Sequence, residues 1–135
     1  MELRNYPSGK TACYNFEAQD GPRAAILLVH GLGEHAGRYS GWAERFNERG
    51  VTLNAFDLPG HGRSEGQWGV IPSPEKVYDT IDTLLLEMKG TYPGVPLFLY
   101  GHSLGGGIVL NYLIMRKPDV TGAIVTSTLI ILPET

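Results

Sequence analysis

A chain of 135 residues, 42% apolar and 19% charged, is long enough for one domain with a sizeable core. Its formal net charge of −3, with Arg45, Arg49, Arg116 and Lys117 scattered among acids, argues against a nucleic-acid partner. The single Cys13 excludes an internal disulfide and a thiolate metal site; the N-terminus lacks a basic-then-apolar leader and no apolar run could cross a bilayer, so a cytoplasmic protein without a transmembrane segment is expected.

Taken in chain order, residues 3–6, the turn Pro7-Ser8-Gly9 and residues 11–17 have the pattern of a hairpin. Residues 24–30 run apolar without alternation, as a strand covered on both faces does. Tyr39, Trp42, Ala43 and Phe46 recur at i, i+3, i+4 and i+7, one helical face closed by Gly50, which assigns Tyr39 and Trp42 to the core. Residues 51–56 form a second sheet strand. Ser73-Pro74-Glu75 is a helix start, with Ser as cap, Pro in the first position and an acid in the first turn. Val77, Ile81, Leu84, Leu85 and Met88 give that helix a buried stripe, and it should end near Lys89-Gly90. Residues 95–100 are a third sheet strand, residues 104–117 a helix stopped by Pro118, and residues 122–129 a fourth sheet strand. Alternating strands and helices predict an α/β fold, a mostly parallel sheet with helices on both faces.

The 18 glycines cluster at residues 31–41, 60–69 and 101–107, marking tight turns or close backbone approach. The third cluster, Gly101-His102-Ser103-Leu104-Gly105, fits G-x-S-x-G between a predicted strand and a predicted helix. A sharp strand-to-helix turn strains the serine and crowds the residues two before and two after it, so only glycine fits there. The turn lifts the hydroxyl above the sheet edge and sets a helix N-terminus behind it, where a developing oxyanion is stabilised. Ser103 is therefore the candidate nucleophile.

Acyl transfer needs two N–H donors aimed at one oxygen. Leu104, following the nucleophile, supplies one; Leu32, between Gly31 and Gly33 after the first sheet strand, is the candidate for the other. His30, just before those glycines, is placed to brace the loop rather than to act as base. Asp57 and His61, four apart in Asp57-Leu58-Pro59-Gly60-His61-Gly62-Arg63-Ser64, invite assignment to a triad, but in this architecture the acid and base follow the serine. A hydrogen-bonded turn at the pocket rim is the better reading. Asp79 and Asp82 on a helix are expected to be solvated, and His35 with Glu34 lacks further ligands at metal spacing, so no metal is expected.

These residues carry a resemblance. Three blocks, His30-Gly31-Leu32-Gly33-Glu34-His35 with Arg38-Tyr39, then DLPGHGRSEG from Asp57 through Gly66, then GHSLGG from Gly101 through Gly106, resemble the monoacylglycerol lipase and lysophospholipase group of α/β hydrolases, related to the serine aminopeptidase group. The resemblance implies an α/β-hydrolase fold. It also implies a serine ester hydrolase acting on a small ester or monoacyl lipid, with Ser103 as nucleophile, Leu32 and Leu104 as oxyanion donors, and neither metal nor organic cofactor. It implies further that a cap, an acid and a base follow the strand ending near Ile130. The expectation is thus that residues 1–135 are the N-terminal part of a single α/β-hydrolase domain, truncated after the strand that follows the nucleophile helix. The isolated chain should then be weak or inactive, its last strand an apolar edge that pairs with a complementary C-terminal half or swaps strands with a copy of itself. A non-catalytic truncated fragment or binding module is the alternative, and peptide or thioester cleavage is a variant of the enzyme reading.

Overall fold

The computed structural model describes residues 1–128. Strands β1 (Glu2–Tyr6) and β2 (Gly9–Phe16) form the expected hairpin, and β3 (Ala24–Val29) follows. A 3-10 turn (Ala36–Tyr39) runs into α1 (Ser40–Glu48), which leads to β4 (Val51–Phe56) and α2 (Pro74–Thr91). The order closes with β5 (Leu97–His102), α3 (Leu104–Arg116) and β6 (Gly122–Thr126). The six strands form one sheet in the order β1-β2-β4-β3-β5-β6, with β3 parallel to both β4 and β5, and β5 parallel to β6. Among the described residues only the hairpin and its junction with β4 are antiparallel.

The unalternating run of β3 follows from cover on both faces. Ile26 and Leu28 pack with Leu53, Ala55 and Tyr100 beneath Tyr39 and Ala43 of the first helical segment. Leu27 and Val29 face the opposite way, against Val77, Ile81, Leu84, Leu85 and Met88 of α2 and Val109 and Tyr112 of α3. The predicted stripe of α2 is buried throughout, and Ser73 caps the helix by accepting from Lys76 N at 3.3 Å. Register sets where the chemistry can occur. Val29 pairs with Phe56 and with Gly101, and Gly101 with Val125, so β3, β4, β5 and β6 end level at one edge of the sheet. Ligands of open α/β sheets bind at that edge.

Several expectations need correction. Trp42 is 45% exposed rather than core; it lies at the margin of the helical face, edge-on to Tyr39 and Tyr100 at 5.6 and 5.7 Å between ring centroids. Asp79 and Asp82 are not merely solvated. Arg116 bridges both carboxylates, at 3.0 and 2.7 Å, and Tyr112 donates its hydroxyl to Asp82, tying α2 to α3. Helix α2 passes Gly90, which shows no left-handed φ, and ends at Thr91. Strand β5 begins after Pro96 and runs two residues further than predicted, into the turn that bears the serine. Strand β6 ends at Thr126, and the predicted extension to Leu129 reaches beyond the described residues.

Candidate active site

Strand β5 ends at His102, α3 begins at Leu104, and Ser103 alone makes the turn, at φ 56° and ψ −118°. A non-glycine residue there carries strain of about 1–3 kcal/mol and persists because its surroundings over-determine it. The restraints are visible. Ser103 N donates to Thr126 O at 2.9 Å, and Ser103 O accepts from Gly107 N at 3.2 Å and from Thr128 Oγ1 at 2.7 Å. The glycines admit no side chain. A Cβ on Gly101 would lie 2.4 Å from Gly105 O, one on Gly105 2.0 Å from Val29 O, and one on Gly106 2.3 Å from Thr128 Oγ1. At Gly101 and Gly105 the crowding expected from the motif is therefore backbone against backbone, with the end of β3 as the wall for Gly105, whereas Gly106 meets the side chains of Thr128 and Val125.

The loop after β3 lies against the serine. A Cβ on Gly31 would be 3.2 Å from both Ser103 Cβ and His102 O. Glu34 holds this loop by reaching back three residues, as the acid of a capping box does: its Oε1 accepts from Gly31 N at 2.5 Å and from Tyr39 Oη at 2.6 Å. Burial would raise the Glu34 pKa, but the hydrogen bonds from Tyr39 and Gly31 outweigh it and hold the carboxyl below its ordinary range. Burial, then the bond to Glu34, pushes the Tyr39 hydroxyl up. With Gly31 N committed to Glu34, the next amide along is Leu32 N. Among the described residues neither Leu32 N nor Leu104 N makes a hydrogen bond.

His30 is fully buried and uses both ring nitrogens on backbone: Nε2 accepts from Leu58 N at 2.9 Å, so Nδ1 carries the proton and donates to Gly31 O at 2.7 Å. Burial lowers its pKa, which keeps the ring neutral. It ties the glycine loop to the loop after β4. Asp57, also fully buried, organises that second loop. Its Oδ1 accepts from Ala36 N at 2.7 Å, and its Oδ2 from Arg63 N at 3.0 Å and Tyr14 Oη at 3.3 Å. His61 donates through Nδ1 to Pro59 O at 2.9 Å, and its buried Nε2 has no partner among the described residues; its ring lies 5.2 Å from that of His30. Asp57 and His61 thus act as parts of a bonded turn. His102 Nδ1 lies 2.8 Å from Thr126 Oγ1. Among the described residues no imidazole or carboxylate hydrogen-bonds to Ser103 Oγ.

Sequence reasoning missed Glu34, Thr126 and Thr128 as supports of the site. Only Glu34, three residues after Gly31, left a signal in its spacing. An apolar groove of about 280 Å³ runs between the N-terminal turns of α2 and α3, lined by Ile71, Pro74, Val77, Leu104 and Ile108 among others. A roomier cavity of about 510 Å³ lies beneath the hairpin, by Arg4, Cys13, Asn54 and Tyr92, away from the serine.

A strained serine at the carboxyl edge of a mostly parallel sheet, on a glycine-packed strand-to-helix turn, defines the class: an α/β hydrolase. The family model described as serine aminopeptidase, S33 (Hydrolase_4), matches residues 20–135, and the chain belongs to that family. Monoacylglycerol lipase of Mycolicibacterium smegmatis is 40% identical over 106 residues, covering 78% of this chain and 38% of that protein. Human monoglyceride lipase is 33% identical over 119 residues, covering 88% and 39%. Among solved structures, the monoacylglycerol lipase of Paleococcus ferrophilus superposes with a TM-score of 0.75 at 38% identity, covering 95% of this chain and 44% of that one. A soluble variant of the Saccharomyces cerevisiae monoglyceride lipase, solved with a substrate analog, gives a TM-score of 0.85 at 27% identity, covering 96% and 45%. Within the superfamily the chain therefore groups with the monoacylglycerol lipases, and it spans about two fifths of the length of these two curated relatives. Among the described residues no helix is long and apolar enough to cross a membrane.

Proposed function

We propose that this chain carries the nucleophile and the oxyanion donors of a carboxylic ester hydrolase for monoacyl lipids. The observation that bears most weight is Ser103 held at φ 56° beside a loop whose Leu32 N–H, like that of Leu104, has no partner among the described residues. In the reaction, Ser103 Oγ adds to the ester carbonyl carbon while a base takes its proton. The carbonyl oxygen gathers negative charge between the two N–H groups, and the tetrahedral species collapses to the acyl-serine ester as the protonated base gives its proton to the departing alkoxide, which leaves as the alcohol. Water then cleaves the acyl-serine ester by the same steps, releasing the fatty acid and restoring the hydroxyl. The base and its orienting acid are supplied from outside the described residues, by a complementary segment or chain. The outer edge of β6, where Ile124 is 40% exposed, is where that complement, or a strand-swapped second copy, would pair. Size-exclusion chromatography checks the pairing: a stable soluble monomer of this chain alone counts against it.

A second reading, a non-catalytic hydrolase fragment or binding module, is favoured by one observation: no described group stands ready to deprotonate Ser103. Hydrolysis of p-nitrophenyl butyrate and of a monoacylglycerol by this chain and by Ser103→Ala separates the two. Turnover that disappears with the substitution supports the enzyme. Turnover that survives it rules out Ser103 as nucleophile. No turnover in either is also what the enzyme reading expects of a chain without its base. The same pair assayed with the complementary segment present then decides, Ser103-dependent turnover supporting the enzyme and none supporting the binding module.

A further inference from the structure

The loop between β4 and α2 ends in a feature that the ester chemistry does not use. Gly60 anchors the loop, donating to Glu65 O at 3.0 Å and accepting from Gly69 N at 2.8 Å, while Glu65 N donates to Lys10 O at 2.9 Å. A Cβ on Gly60 would lie 2.2 Å from Gln67 O, so the base of the loop is packed backbone to backbone. Above it a closed turn, with Val70 N donating to Gln67 O at 3.0 Å and Gly69 at φ 73°, carries Trp68 at its tip. Trp68 is 79% exposed and Val70 40%. An indole in water on a hydrogen-bonded support is presented outward by the fold itself.

Two observations identify what it meets. Residues 66–74 contain no charged side chain, and the chain as a whole is acidic, which disfavours an anionic surface and fits an uncharged or zwitterionic one. The turn also continues into the groove beside the serine: Ile71 and Pro74 line it together with Leu104, the residue after Ser103. An apolar path therefore leads from the exposed indole to the reactive edge. Tryptophan suits the boundary between headgroups and acyl chains, since its ring is apolar and its N–H still needs a polar partner. The prearranged turn loses little conformational freedom on docking.

We infer that the Trp68 turn is a lipid-surface anchor: Trp68 and Val70 insert at the headgroup boundary of a zwitterionic lipid surface and hold the Ser103 edge against it. The inference rests on the lipid-ester reading for its purpose, but its test reads binding alone. The chain has two tryptophans. In Trp42→Phe, Trp68 is the only reporter; on adding phosphatidylcholine vesicles its emission should shift to the blue and be quenched by brominated acyl chains. In Trp68→Phe, Trp42 should show neither change. Co-sedimentation with the vesicles should fall roughly tenfold or more in Trp68→Ser, as burial of one large apolar side chain predicts. Equal sedimentation of Trp68→Ser and the parent chain overturns the inference. So does a blue shift of Trp68 that grows with protein concentration without lipid, which would make the partner another copy. Tighter binding to phosphatidylserine than to phosphatidylcholine vesicles overturns it too. Ser103-dependent hydrolysis of dispersed esters by a chain that ignores vesicles keeps the enzymatic reading and discards the anchor; vesicle binding through Trp68 without hydrolysis keeps the anchor, and the enzymatic reading is then decided by the assay with the complementary segment present.

Discussion

Replacing His30 with alanine tests whether this histidine braces the loops or performs proton transfer. Two buried hydrogen bonds would be lost, Leu58 N to Nε2 at 2.9 Å and Nδ1 to Gly31 O at 2.7 Å, at a position with no solvent exposure. Each stranded backbone group costs about 1–3 kcal/mol, and the vacated ring volume adds a packing loss, so destabilisation of about 3–5 kcal/mol is expected. That is a large part of the stability of a domain of this size, typically about 5–15 kcal/mol. Urea denaturation at neutral pH measures it. The pH dependence follows from the ring's lowered pKa. Between the folded value and the unfolded 6.5 the unfolded chain holds the extra proton. The His30 contribution is therefore complete above 6.5 and declines as pH falls through the folded pKa, and His30→Ala should lose that part of the acid-side slope. Heteronuclear NMR of the imidazole should report a neutral Nδ1–H tautomer. A loss below about 1 kcal/mol, set against the buried-group costs above, or a ring titrating above its ordinary range, would refute the brace.

Ser103→Gly should abolish any hydrolysis yet raise stability by about 1 kcal/mol, because glycine accepts the serine's positive φ without strain; a thermal melt that does not rise contradicts the strain argument. Glu34→Gln keeps an acceptor for Gly31 N and Tyr39 Oη but loses the charge, at a cost of about 1–2 kcal/mol at neutral pH. Because the Glu34 pKa is depressed, its contribution is present above the ordinary carboxylate range and is lost as pH falls through the folded value, so parent and variant denaturation curves should converge in acid. Gly105→Ala places a methyl group 2.0 Å from Val29 O and should cost roughly 4–5 kcal/mol or more, seen as a collapse in soluble yield and in the folded circular dichroism signal.

Sequence alone was informative wherever one local rule decided the outcome. Ser73-Pro74 located the start of α2 because cap and first-turn chemistry are short-range, and the even apolar run of β3 announced a strand covered on both faces. The G-x-S-x-G turn was legible because its glycines answer to backbone crowding, which spacing encodes. What stayed hidden depends on segments meeting across the fold. Nothing near Asp82 in sequence foretells Tyr112 and Arg116 from α3, and nothing near Ser103 foretells the grip of Thr126 and Thr128. Trp42 was misplaced because helical periodicity gives a direction but not the width of the neighbour; at that margin the sheet offers only the edge of Tyr100.

The order in which the site's parts leave the ribosome follows from the sheet. Strands β3 and β4 with the loops held by His30 and Asp57 are all present by residue 64, so the wall that will receive the serine can be bonded together before the serine has been synthesised. Only when β5 adds to the free side of β3, after the whole of α2 has intervened, does residue 103 arrive at that wall, and its strained conformation is secured later still by β6. Chain order thus allows the candidate serine to enter a wall whose loops can already be bonded, and places the residues that hold its strained backbone after most of the described sheet.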